Sequence, residues 1–285
     1  MRVMLTGAGG MLAHALRDSV TAHIELIALT RDQLDIGDRS QVERVVSSIR
    51  PHVIVNAAAY SKVDAAESVP QTADQVNGHA LGFLAEAALR IDAKVVHFSS
   101  DYVFDGTASR PYDEASVTNP ISAYGRSKLL GEHALRASAA RHLIIRTQWL
   151  FGPEGRNFPA VMWSRARSAL PPRVVNDQTG SPTYTPDLAA ATWSLLDHEG
   201  TIHVVNAGST TWYGVAQQVF RRAGAEHLLE PCTSAEYPTP APRPAYSVLS
   251  TARLRGLRGD LPGWSDALDR YLEQIASGGG LGDGA

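Results

Sequence analysis

Tyr124 and Lys128 stand four apart in the stretch Tyr124-Gly125-Arg126-Ser127-Lys128. On a helix, residues at that spacing share a face. The lysine ammonium can then lie beneath the phenol and stabilise its anion, drawing a group that ionises near pH ~10 toward working pH. A phenol tuned in this way gives a proton to a ketone oxygen or takes one from an alcohol. Far upstream lies a glycine-rich turn, Gly7-Ala8-Gly9-Gly10-Met11-Leu12-Ala13, which follows an apolar run and opens a helical stretch. It reads Gly-x-x-Gly-x-x-Ala and departs from Gly-x-Gly-x-x-Gly, because Leu12 stands where the last glycine of that pattern falls. The physics is shared. Gly7 permits the tight turn, Gly10 lets backbone N–H groups approach a pyrophosphate at the helix N-terminus, and Ala13 allows close packing of helix on strand.

The elements that must position these residues alternate along the chain. Residues 2–5, 25–29, 53–57, 95–98 and 143–146 read as buried strands, with amphipathic helical stretches over 11–19, 40–50 and 73–91 among those between them. Strand, helix, strand repeated in this way predicts an α/β fold with a doubly wound parallel sheet of Rossmann type, which binds ligands at the carboxyl ends of its strands. Beyond residue 152 prolines accumulate, and 238–244 is a proline-rich run. The predicted division is a dinucleotide-binding region over 1–151 and a smaller C-terminal substrate lobe mainly over 152–276, interwoven with the sheet. The glycine-dominated stretch 277–285 is expected to be a disordered tail.

Composition removes several classes of function. A net charge of −3, from 26 basic and 29 acidic residues, offers no electrostatic footprint for nucleic acid or an anionic membrane. The first residues run straight into a strand, so no signal peptide is expected, and no stretch approaches the roughly 20 apolar residues of a membrane span. Cys232 is the only cysteine, which rules out an internal disulfide and suits a reducing cytoplasm. The ten histidines are scattered without metal-ligand spacing, so no metal site is expected.

Further segments carry a resemblance. They are Asn56-Ala57-Ala58-Ala59-Tyr60, Val63-Asp64-Ala65-Ala66-Glu67, Ser99-Ser100-Asp101-Tyr102-Val103-Phe104, the block from Tyr124 to Lys128, Arg146-Thr147-Gln148-Trp149, Asn176-Asp177-Gln178, and the run from Tyr237 to Pro244. With the glycine turn, the chain resembles the extended short-chain dehydrogenase/reductase superfamily and, within it, the dTDP-4-dehydrorhamnose reductase family. The resemblance implies that Gly10, Met11 and Leu12 meet the cofactor pyrophosphate, Asp35 and Ile36 flank adenine, and Ala59, Tyr60 and Ser61 border the nicotinamide. It implies that Ser100 bonds the ketone oxygen beside Tyr124, that Lys128 also holds the nicotinamide ribose, and that Val63, Asp101 and Trp149 shape a sugar pocket. Arg243 and the turn holding Asn176 and Gln178 resemble segments that hold a nucleotide diphosphate, while Asp177 reads as a turn cap and Asp64 and Glu67 as helix-start residues.

The activity so implied is NAD(P)H-dependent reduction of the 4-keto group of a nucleotide-linked 6-deoxyhexose, foremost dTDP-4-dehydro-β-L-rhamnose to dTDP-L-rhamnose. Reduction of a related sugar, on a dihydrostreptose or antibiotic-sugar route, is the alternative, as is a non-catalytic regulatory subunit of the same fold. A 4,6-dehydratase is disfavoured, because Ser100-Asp101-Tyr102 lacks the glutamate that elimination needs. Thr30 closes the second strand where an NAD enzyme usually presents an acid, and Arg31 is placed to pair with an extra phosphate. NADPH is therefore the expected cofactor, with NADH possible. Ala15 replaces a glutamate that binds a divalent ion at a dimer contact in some relatives, so a monomer or weak homodimer is expected, with a nucleotide-sugar substrate as the partner.

Overall fold

Short runs of aliphatic residues become strands, the central ones buried on both faces and the edge strand Glu25–Leu29 only partly buried. The computed structural model describes residues 1–168 and 172–277; apart from Ser277, the expected tail lies outside the described residues. Six strands, β1 (Arg2–Thr6), β2 (Glu25–Leu29), β3 (Val53–Asn56), β4 (Lys94–Ser100), β5 (His142–Thr147) and β6 (Gly200–His203), form one parallel sheet in the order β6-β5-β4-β3-β1-β2. The sheet is the predicted doubly wound one. Its order reverses between β1 and β3, which opens a crevice at their carboxyl ends. β6 was not among the expected strands: it is a four-residue run from the C-terminal half that returns to pair with β5.

Alternation along each strand sends side chains to two cores. Val3, Leu5, Val53, Val55 and Val96 pack beneath the helices Met11–Asp18 and Thr185–Ser194. On the other face Met4, Ile54, Val95 and Ile144 meet the helices Arg39–Ile49, Ala80–Leu89 and Ala123–Ala137. A third cluster joins the helices Phe158–Arg167, Trp212–Arg222 and Trp264–Ala276.

The helical stretch expected over 73–91 is interrupted. A short helix, Pro70–Asp74, passes into a π turn, Gln75–His79, before Ala80–Leu89 resumes α geometry. Within that turn the buried Asn77 amide bonds both the N–H and the carbonyl of Tyr60 and reaches Ser127 Oγ at 2.9 Å. Widening one turn aims a polar side chain inward, a common use of π geometry near functional sites. Here it ties the loop after β3 to the helix that carries Tyr124 and Lys128.

Candidate active site

At the end of β1 the backbone of Gly7 takes φ +71°, and a Cβ there would lie 2.6 Å from Ala58 N, so the turn can press against the end of β3 only as glycine. Gly10 donates its N–H to Gly7 O at 2.9 Å and caps the helix Met11–Asp18 with no side-chain bond to the first-turn amides. Those amides and the helix dipole make an anion seat. A groove of about 440 Å³ runs from this turn past the ends of β2 and β3, lined by Gly7, Gly10, Thr30, Arg31, Asp35, Ile36, Ala59 and Tyr60 among others. Thr30 Oγ1 donates to Gln33 Oε1, and Arg31 lies 3.5 Å from Asp35 with its side chain 83% exposed.

The groove opens into a cavity of about 570 Å³ that Tyr124, Lys128, Ser100, Asp101, Met11, Leu12, Ser61, Val63 and Trp149 line together. Ser122 caps the Tyr124 helix by accepting from Gly125 N at 3.1 Å. Gly125 is required there for another reason: a Cβ would stand 2.2 Å from Tyr102 O, so glycine lets the helix sit tightly on the loop after β4. That approach brings the Tyr124 hydroxyl to the Ser100 side of the cavity.

The electrostatics differ from the sequence-based expectation. Burial pushes the Tyr124 phenol up to about 12, helped by the Asp101 carboxylate and only partly offset by Ser100. Lys128 goes the opposite way, down to about 8, because burial penalises its charge more than nearby Glu132 supports it. Its Nζ donates to Phe98 O at 2.6 Å and lies 3.4 Å from His97 Nε2. Desolvation therefore wins over the charge stabilisation that the four-residue spacing suggested. Asp101 is fully buried and raised by burial, and takes bonds from Ser100 Oγ at 2.8 Å and Gln148 Nε2 at 3.0 Å.

Trp149, with φ +49°, stacks on Trp212 with ring centroids 3.8 Å apart, and Phe158 meets Trp212 edge-on. Beyond this aromatic wall lies a further cavity of about 580 Å³, whose lining includes Tyr102, Arg156, Arg165, Arg173, Gln178, Tyr237 and Arg243 and, among the described residues, no carboxylate. Arg173 pairs with Glu236 and Arg243 with Asp64, whereas Arg156 and Arg165 have no ion-pair partner among the described residues. Asp64, read from sequence as a helix-start residue, holds Arg243 through two bonds of 2.7 and 2.8 Å and also accepts from Ala241 N. Gln178 reaches this cavity and donates to Ser234 Oγ; Asn176 lines none of the three cavities, its side chain instead accepting from Thr211 Oγ1. A three-residue turn cannot aim all its side chains one way, and of the three only Gln178 lines the cavity. Asp177 caps Ser234.

Several lining residues had no local signal. Trp212, Phe158 and Arg156 sit in the C-terminal half outside any motif. Gln148 lay inside a segment already singled out, and its near-complete burial beside Asp101 is what marks it.

Residues 1–277 match the family described as the RmlD substrate binding domain. The chain is 39% identical to dTDP-4-dehydrorhamnose reductase of Burkholderia thailandensis, over 97% of this chain and 100% of that one. It is 42% identical to a probable dTDP-4,6-dihydroxy-2-methyloxan-3-one 4-ketoreductase of Streptomyces antibioticus, with 96% of each chain covered. Among solved structures, dTDP-4-dehydrorhamnose reductase of Bacillus anthracis in complex with NADP superposes with a TM-score of 0.92 at 36% identity, covering 96% of this chain and 99% of that one.

Proposed function

The chain belongs to the dTDP-4-dehydrorhamnose reductase family, and from that premise we infer that it reduces the 4-keto group of a dTDP-linked 6-deoxyhexose with NADPH, foremost dTDP-4-dehydro-β-L-rhamnose to dTDP-L-rhamnose. The observation that carries this reading is the run of three cavities. A groove suited to a dinucleotide opens onto the cavity of Tyr124, Ser100 and Lys128, and that cavity adjoins a chamber with four arginines and no acid among the described residues, suited to a nucleotide diphosphate.

The groove fits a dinucleotide, because uncapped helix amides and the Gly7 turn leave room and charge for a pyrophosphate. Bound there, the reduced cofactor would supply the hydride for the sugar carbon. Tyr124, protonated throughout the neutral range, hands its proton to the oxygen that becomes an alkoxide, and Ser100 orients that oxygen by a hydrogen bond. A placed proton donor of this kind contributes roughly 10² to 10⁴ in rate. Lys128 would hold the ribose and offset the charge of the phenolate left after transfer. Arg31 at the end of β2 supports NADPH, as does the NADP held by the Bacillus anthracis relative; NADH remains possible. The Streptomyces relative is described as a probable 4-ketoreductase of a different dTDP-linked sugar, so a related deoxysugar 4-ketoreductase is the second reading. Cytoplasmic location and a monomeric or weakly dimeric state complete the proposal; no helix of the described residues is long and apolar enough to cross a membrane.

Mixing the protein with NADPH and a panel of 4-keto sugar nucleotides, while following loss of reduced-cofactor absorbance, tests the reading. Oxidation of NADPH dependent on dTDP-4-dehydro-β-L-rhamnose is expected. Turnover with another 4-keto sugar alone would move the assignment to the second reading, and no turnover with any of them would return the chain to a non-catalytic role.

A further inference from the structure

Three buried polar side chains on neighbouring strands form a row that the mechanism above leaves unused. Thr6, Asn56 and His97 occupy paired register positions on β1, β3 and β4, and none is more than 1% exposed. They follow Met4, Ile54 and Val95 by two residues, so they point to the sheet face covered by the helix Ala123–Ala137. Polar groups in such a place weaken the fold unless they bond one another. They do so in sequence: Thr6 Oγ1 lies 2.5 Å from Asn56 Oδ1, Asn56 Nδ2 3.1 Å from His97 Nδ1, and His97 Nε2 3.4 Å from Lys128 Nζ. The row starts beside the Gly7 turn and ends on the lysine of the active site.

We propose that this row is a positioning device for Lys128, in which a neutral His97 accepts a hydrogen bond from the lysine ammonium at Nε2 while its Nδ1–H is held by Asn56, itself braced by Thr6. The inference rests on the reductase reading. An ammonium only donates, and Phe98 O takes one of its protons at 2.6 Å. The group facing it at Nε2 must therefore present a lone pair, which places the ring proton on Nδ1 and turns the Asn56 oxygen toward it. The structure turns the Asn56 nitrogen to His97 and its oxygen to Thr6; the Nδ1–H tautomer requires the amide half-turned, with Thr6 Oγ1 accepting from Nδ2 and the 2.5 Å contact lengthened to an ordinary N–H···O distance. Burial and the neighbouring lysine charge both hold His97 well below the ordinary imidazole range, so the ring stays neutral. The other charged or titratable groups near the pair are Glu132, one turn along the helix, which favours the ammonium, and Tyr124 and Asp101, which line the cavity that Lys128 faces. His97 and Phe98 O together fix two directions of the ammonium and leave its third proton for the cavity.

The tautomer of His97 in the wild-type protein is the direct test, read by ¹⁵N NMR near neutral pH. The Nδ1–H form with a bare Nε2 is expected. An Nε2–H tautomer or an imidazolium overturns the proposal whatever the activity, whereas the reductase reading falls only if no ketone is reduced. Two variants give a second readout. His97→Leu removes the acceptor and should move the alkaline limb of kcat/KM to lower pH by about one unit, while His97→Gln keeps an acceptor and should leave the limb in place. An unmoved limb in folded His97→Leu, or equal shifts in both variants, overturns the proposal. Should His97→Leu fail to fold, the wild-type tautomer decides alone.

Discussion

Burial divides the proton chemistry unequally between Tyr124 and Lys128. With the phenol up to about 12 and the lysine down to about 8, the group that titrates near working pH is the amine. The rate of ketone reduction should therefore fall on the alkaline side with an apparent pKa near 8; a limb only above pH ~10 would give the titration to the phenol instead. Stability follows the same shift. The unfolded chain keeps the lysine proton up to the ordinary value of 10.5, so the cost of burying the charge is fully present below about 8 and fades as pH rises between the two. Relative to wild type, Lys128→Met should gain most in denaturation midpoint below pH 8 and progressively less toward 10.5; a difference that grows with pH would contradict the assignment. Tyr124→Phe loses only a hydroxyl, so folding and cofactor affinity should persist while turnover falls by roughly 10² or more. Near-normal turnover would remove Tyr124 from the role of proton donor.

At the level of elements, the site depends on one helix and one clamp. The helix Ala123–Ala137 is held against β5 by a buried pair, Glu132 with Arg146, whose bonds measure 2.8 and 2.7 Å with both side chains almost wholly excluded from solvent. Removing one partner strands a charge in the core, so Glu132→Ala should lower unfolding free energy by about 3 to 5 kcal/mol in a urea titration. A loss near zero would mean that the core admits water there. The clamp is Asp64 on the helix Val63–Ser68, gripping Arg243 in the proline-rich run. Asp64→Asn should release the guanidinium and raise KM for the nucleotide sugar with the cofactor KM unchanged. The charge-assisted bond involved is worth about 1.5 to 3 kcal/mol, or about 10- to 150-fold. A mainly cofactor-side effect would show that the proline-rich run belongs to the groove.

On the scale of the whole molecule, the groove and the cavity meet where the strand order reverses, and cofactor choice is expected to turn on the far rim by β2. Arg31 there is loosely tethered to Asp35 and largely exposed, free to swing toward a ribose phosphate. Arg31→Ala should lower the NADPH-to-NADH ratio of kcat/KM by roughly ten-fold or more; an unchanged ratio would make Arg31 a surface residue only. Sequence by itself determined the alternating elements, the glycine turn and the face shared by Tyr124 and Lys128, because each is set by neighbours within a few residues. It did not reveal β6, whose four residues are too short for periodicity to mark, nor the π turn, which exists because Asn77 finds Tyr60 and Ser127 across the fold. Tertiary structure alone decided which groups are desolvated. It placed Lys128 against Phe98 O and His97, raised the phenol where spacing predicted a lowered one, and brought Asp64 to Arg243 across 179 positions of chain. Charge energies depend on burial and on partners supplied by distant strands, and only the crossovers of the folded sheet settle those.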